Sequence, residues 1–394
     1  MNRIDATRIR TALAALAFAS LPVAHAAGVS DKEIVLGMHI DLSGPAAAGS
    51  PHLRNGTQLR VDEANAAGGI HGRKIRLIIE DNAGAPQQGV RAVQKLLRQD
   101  GVFAIINSFG TGPNAATVKM ISDAGVVNFA PWAASSALQK ISGNSPLLFT
   151  VVQNYDTTTG YGVSWALKTW GSKKVGLLAM EGPFGELIKG GLVPVLTAHG
   201  QSLAAEATYK PGEIDLSSQV ARLKAAGVDL IVAGTVVRET IAVMSEVRKL
   251  GWTDVKVLTA LPGRNSTVSD LGKDTVEGLY GIGGWNLPYA ETTDAAGKRF
   301  IESYRRAFGA APNDTAADAY SYTDWFIGIL QAAGPGLTAE SFSKAAASQG
   351  HEDFVAYTAQ KFARNHAMPE SVSIDQVRAG RWVQITKPFT GLVK

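Results

Sequence analysis

Six short loops, each following an apolar run, carry the residues best suited to holding a small molecule. In the first half they are 41–45 (DLSGP), 107–114 (NSFGTGPN) and 131–136 (PWAASS); in the second, 180–185 (MEGPFG), 234–239 (GTVVRE) and 260–265 (ALPGRN). They are rich in Gly, Ser, Thr and Pro and nearly free of titratable groups. Glycine lets a backbone approach a ligand closely, and a helix start presents unpaired N–H groups with a partial positive charge, so such loops suit a carboxylate. Gly110 and Thr111 fit this description, and Thr111 and Ser135 could add hydroxyl donors or simply cap the helices that follow. Arg238 and Arg264 stand in second-half loops, where a guanidinium could grip a carboxylate with two parallel hydrogen bonds or lie solvated at the surface. Trp132, Tyr155, Phe184 and Trp285 are candidates for an apolar wall, with Trp132 and Phe184 placed directly in loops.

Reactive constellations are missing from the same sequence. No G-x-S-x-G elbow, phosphate-binding G-x-x-x-x-G-K-[ST] loop or H-E-x-x-H pair occurs, and no G-x-G-x-x-G follows the first apolar run. With no cysteine in the chain, disulfide scaffolds, cysteine catalysis and thiolate metal sites are all excluded. The histidines are scattered without helical spacing, and His39, near the end of the first expected strand, reads as a hydrogen-bonded structural residue. No catalytic residue, metal site or cofactor is therefore expected.

The elements that must position these loops alternate along the chain. Short β-branched runs at 34–40, 74–80, 102–106 and 126–129 are separated by helical stretches at 53–67, 87–97 and 115–124. A second series follows residue 150: a long helix through 165–170, strands at 175–178, 203–209, 230–233 and 255–259, and helices at 184–196, 216–226 and 240–250. This is the pattern of two doubly wound α/β lobes with parallel sheets in tandem, and ligands in such sheets bind outside the carboxyl ends of the strands. The segments LLRQDGVFAIIN, ending at Asn107, and LKAAGVDLIVAG, ending at Gly234, repeat one helix-to-strand step. The last third predicts helices at 295–307, 316–332 and 339–347, then alternating strand-like stretches at 353–362 and 372–383.

The first residues read as an export signal over 1–26: Arg3, Arg8 and Arg10, an apolar run over 11–21, and the Ala24-His25-Ala26 cleavage pattern. The apolar run is too short to span a bilayer. Removing 26 of the 394 residues leaves 368, enough for two domains, and lowers the formal charge from +4 to +2 by taking away three arginines and Asp5. No basic stripe with interleaved aromatics points to nucleic acid.

Several stretches together resemble the periplasmic leucine/isoleucine/valine-binding protein family, the type I substrate-binding proteins of ABC importers. They are 34–45 (IVLGMHIDLSGP), 56–72 (GTQLRVDEANAAGGIHG), 78–83 (IIEDNA), 127–138 and the pair Phe184-Gly185. The resemblance implies two lobes joined by a three-crossing hinge, lobe 1 being 27–151 plus 288–355 and lobe 2 being 152–287 plus 356–394, closing over a ligand. It implies a periplasmic monomer that holds a small carboxylate and serves the permease subunits of an ABC importer. Its carboxylate site maps to Ser108, Gly110 and Thr111 and to Trp132, Ala133, Ala134 and Ser135, with Tyr155 and Phe184 beside it. Where amino-acid binders place a tyrosine and an acid for the ammonium, this chain has Val236 and Pro262, which favours an aromatic or dicarboxylic acid over a branched-chain amino acid. A ligand-sensing lobe for a small amide or acid is the alternative on the same fold.

Overall fold

The computed structural model describes residues 26–47, 49–363 and 366–393. The expected export signal, apart from Ala26, lies outside the described residues. The first lobe opens with β1 (Glu33–Ile40), α1 (Ser50–Ala66), β2 (Lys74–Asp81), α2 (Pro86–Arg98), β3 (Ala104–Ile106), α3 (Thr111–Asp123), β4 (Val127–Phe129), the short α4 (Leu138–Ile141) and β5 (Leu148–Phe149). These strands form one parallel sheet in the order β2-β1-β3-β4-β5. Strands covered on both faces need apolar side chains throughout rather than in alternation, and β1 is buried over seven of its eight residues.

The chain then builds α5 (Tyr155–Trp170), β6 (Val175–Met180), α6 (Pro183–Ala198), β7 (Ala205–Tyr209), α7 (Ser217–Ala225), β8 (Leu230–Gly234), α8 (Val237–Lys249), β9 (Lys256–Thr259), α9 (Ser266–Gly272) and β10 (Tyr280–Gly283). Next come α10 (Ala295–Phe308), α11 (Asp314–Ala333), α12 (Ala339–Ser348) and the hairpin β11 (Ser373–Arg378) and β12 (Arg381–Gln384). The second sheet has seven strands in the order β12-β11-β10-β9-β8-β6-β7, parallel except for β11, which pairs antiparallel with both β10 and β12. Ala379 and Gly380, both at positive φ, make the two-residue turn that such a hairpin requires.

Helices α10 and α11 return to pack on α1, and α12 packs on α11, so they complete the first lobe although they follow the second in sequence. The approach of α1 to α11 depends on Gly56, where an added Cβ would lie 2.1 Å from the carbonyl oxygen of Ala316.

The chain passes between the sheets after β5, after β10 and before β11, and the three crossings are bonded to one another. Gln153 on the first donates to the Gly284 carbonyl on the second (2.7 Å) and accepts from the Ser371 N–H on the third (2.9 Å). Thr150 and Ala367 form a parallel bridge, and the Glu370 carboxylate accepts the Asn154 N–H at 3.0 Å.

Three expectations are corrected. Residues 353–362 form no strand; they are irregular apart from the isolated bridge between His351 and Gln360. Helices α3 and α8 start at Thr111 and Val237 rather than at 115 and 240, so Thr111 and Arg238 belong to first turns, not to loops. The preceding residues, Gly110 and Val236, make no side-chain cap, so neither start carries the local signal of Ser, Thr, Asp or Asn. The pairing of β10 and the short β5 was not legible at all.

Candidate functional site

Loops at the carboxyl ends of the two sheets meet where Phe184 packs on Tyr155 and α3 approaches α6. On the first lobe, β3 delivers Asn107, Ser108, Phe109 and Gly110 to the start of α3. Ser108 is fully buried; its hydroxyl accepts the His39 N–H (3.2 Å) and its carbonyl accepts the Trp132 N–H (2.7 Å). Gly110 donates its N–H to the Trp132 carbonyl (3.2 Å), so the loops 108–111 and 132–135 are stitched side by side. Gly110 takes φ of 106°, a left-handed conformation that only glycine adopts without strain. The Thr111 hydroxyl reaches the Ala133 carbonyl at 3.4 Å. The first-turn N–H groups of Thr111 and Gly112 have no acceptor within the helix, and they provide the anion-attracting end of α3.

Ala134 accepts the Tyr155 N–H (2.7 Å), which anchors the start of α5 to this corner. The Ser135 hydroxyl accepts the Ala137 N–H at 3.2 Å, a turn contact just before α4, whose N-cap Ala137 makes no side-chain cap. Trp132 is buried with its ring 5.9 Å from Tyr322 of α11, and its indole N–H has no partner among the described residues.

From the second lobe, Phe184 in the first turn of α6 meets Tyr155 edge to face, ring centres 5.2 Å apart. Gly185 beside it is obligatory, because a Cβ there would sit 1.9 Å from the Met180 carbonyl at the end of β6. Burial pushes the Tyr155 phenol well above its ordinary range, so it stays a neutral donor. The lobes touch across the cleft where α3 approaches α6, and a Cβ at Gly212 would lie 3.8 Å from Pro45. Val236 and Pro262 are half-buried at the ends of β8 and β9.

Of the two arginines offered either as an anion grip or as surface charges, Arg264 is committed to internal partners. Arg238 is exposed. Arg264 is 2% exposed and turned inward: Nε donates to Asp375 at 2.7 Å, and Nη2 bonds both Asp375 and the Trp285 carbonyl, while Nη1 has no partner among the described residues. Burial opposes its charge, but Asp375, Tyr357 and Asp314 together outweigh that and hold the guanidinium protonated. Trp285, the fourth aromatic candidate, lies with its ring 5.8 Å from this guanidinium and its indole N–H on Asp314 (3.2 Å). It therefore belongs to the charge cluster beneath the cleft.

Sequence reasoning missed the α11 stripe of Asp314, Asp318 and Tyr322. The signal was present: acids four residues apart on a helix otherwise reading AADAYSYTDWFIGIL must be buried with the apolar residues around them. It missed Glu239 as well, a buried first-turn acid of α8 whose carboxyl desolvation pushes up.

Two doubly wound lobes, a three-crossing hinge and opposed glycine- and hydroxyl-bearing corners define the type I periplasmic-binding fold. Solved structures share it, among them two solute-binding proteins. The branched-chain amino acid transporter substrate binding protein LivJ of Streptococcus pneumoniae, in complex with isoleucine, has a TM-score of 0.76 at 22% identity, covering 90% of this chain and 100% of that one. An ABC transporter solute binding protein of R. palustris, in complex with benzoate, has a TM-score of 0.79 at 16% identity, covering 91% and 98%. The chain belongs to the periplasmic binding protein family, which matches residues 33–381. It is also 31% identical to the Leu/Ile/Val-binding protein BraC3 of Rhizobium johnstonii over 228 residues, which is 58% of this chain and 59% of that relative's length.

Proposed function

We propose that this protein is an extracytoplasmic solute-binding protein of an ABC importer, capturing a small carboxylate-bearing molecule between its lobes and presenting the closed pair to permease subunits. The carrying observation is the corner formed by Ser108, Gly110, Thr111 and Trp132 to Ser135, where main-chain and hydroxyl groups meet Tyr155 and Phe184 of the facing side. Such a site binds an anion reversibly and performs no covalent chemistry on it, which favours a carrier over an enzyme. Isoleucine and benzoate, the ligands of the two structural neighbours, differ in nearly everything except the carboxylate. Export to the periplasm follows from the N-terminal signal pattern and the family.

The aromatic surroundings formed by Trp132, Tyr322, Tyr155 and Phe184 favour a planar or bulky apolar body on the ligand. With Arg264 committed to Asp375, a dicarboxylic acid finds less support than an aromatic or branched one. Calorimetry with leucine, phenylalanine and benzoate, together with small-angle scattering, tests the reading. A bound compound should reduce the radius of gyration at saturation, and binding without compaction would overturn hinge closure. Mass spectrometry of compounds released on denaturing the purified protein would identify the natural ligand.

A further inference from the structure

We propose that Asp318 is the anionic end of this cleft and recognises an ammonium group on the ligand, selecting amino-bearing acids over amine-free ones. The inference deepens the solute-binding reading and rests on it. Residues 314, 318 and 322 lie on one stripe of α11, and both ends of the stripe are accounted for. At one end Asp314 accepts the Ser266 N–H (3.0 Å), the Ser266 hydroxyl (2.9 Å) and the Trp285 indole N–H (3.2 Å), reaching from the first lobe to the second. At the other end Tyr322 faces the Trp132 ring of the carboxylate corner. Asp318 lies between them on the same face of α11, within electrostatic reach of Asp314, Arg264 and Asp353.

It is 1% exposed, and neither carboxyl oxygen has a hydrogen-bond partner among the described residues. Nor does an ion pair join it to Arg264, whose Nη1 is likewise unpaired. A buried carboxyl with no hydrogen-bond partner has given up its hydration without replacement in either charge state, so the site is completed by a group that can bond it. The surrounding charge decides the sign of that partner. Asp314, Asp353 and Asp375 stand against the one guanidinium of Arg264, with His351 paired to Asp353; Tyr322 and Tyr357 are the other titratable neighbours. A cation relieves this excess and a second anion would worsen it.

Burial first, then Asp314 and Asp353, hold the Asp318 carboxyl well above the ordinary carboxylate range, against the pull of Arg264. Burial thus favours the protonated form of Asp318, and an ammonium arriving beside it favours the ionised one. Val236 and Pro262 led to the expectation of a ligand without an amine, but the acid comes from α11, a different element. The Trp132 corner takes the carboxylate at one end of the stripe while Asp318 takes the ammonium one turn away.

The test is calorimetry on ligand-stripped mature protein, wild type and Asp318→Asn, with the twenty common amino acids and amine-free counterparts such as 4-methylpentanoate, 3-phenylpropanoate and benzoate. At least one amino acid should bind wild type, its amine-free counterpart about 100-fold more weakly, and Asp318→Asn should lose about 100-fold for the amino acid only. Binding of amine-free acids alone, or unchanged amino-acid affinity in the variant, overturns the inference while leaving the carrier reading intact. Binding by none of these compounds to folded protein counts against both. Should Asp318→Asn fail to fold, wild type decides: an amino acid bound about 100-fold more tightly than its amine-free counterpart, with proton release seen in two buffers of different ionisation enthalpy, supports the role, and equal affinity for the two refutes it.

Discussion

His39 at the carboxyl end of β1 is fully buried, its Nδ1 receives the Asn82 amide at 3.0 Å, and burial lowers its pKa from 6.5 to about 3. The folded protein holds this imidazole neutral while the unfolded chain protonates it near 6.5, so its contribution to stability is complete above pH 6.5. That contribution is lost as the pH falls towards 3, at up to roughly 1.4 kcal/mol per pH unit. His39→Gln should cost stability at pH 7 yet flatten this part of the acid limb, as urea denaturation at pH 7, 5.5 and 4.5 would record. Equal slopes in both proteins would show that His39 does not govern acid sensitivity. Arg264 is the contrasting case. A loop arginine reads from sequence as a ligand or a surface charge, and only the arrival of Asp375, 111 residues away, makes it a buried ion pair. Removing one member of such a pair strands the other, so Asp375→Asn should cost about 3–5 kcal/mol in chemical denaturation.

Helix starts at Gly110 and Val236 escaped local reading because neither is capped by its own side chain. What holds α3 in place is the strand-like stitching of Gly110 to Trp132 and the packing of α3 on α2. The pairing of α1 with α11 is equally nonlocal. Gly56→Ala in an isolated helix would gain about 1 kcal/mol, but here the Cβ would collide with the Ala316 carbonyl, a rigid main-chain atom. Separating the two helices should outweigh that gain by roughly 1–3 kcal/mol. A thermal scan should show a melting point lowered by several degrees; an unchanged or raised value would mean that the helices shift apart at little cost. Because α11 carries Asp318 and Tyr322, the same substitution should also weaken ligand binding.

Across the whole molecule, the hinge is where titration and motion meet. Glu370 on the third crossing accepts the Asn154 N–H of the first; burial raises its pKa to about 8, with that hydrogen bond opposing. Since the unfolded value is 4.5, the folded state binds this proton more tightly, giving a contribution complete below pH 4.5 and lost as the pH rises through 8. Glu370→Gln keeps the acceptor oxygen and removes the ionisation, so it should match wild type near pH 5 and melt higher at pH 9. Scattering at pH 9 should find wild type less compact than the variant if the ionised carboxylate loosens the crossings, and identical curves would argue that they stay bonded.

From the sequence by itself came the two tandem parallel lobes and most of their helices and strands within a few residues, but not α4, α9, β5 or β10. Those features are local: apolar runs of strand length, helical periodicity and glycines where a backbone must turn or approach closely. The fate of residues 353–362, the inward turn of Arg264, the bonded crossings and the buried acid of α11 were decided only by tertiary structure. Each depends on a partner scores of residues distant, such as Asp375 for Arg264 or Trp132 for the stripe that carries Asp318, and a side chain's charge state and direction follow from what the fold brings beside it.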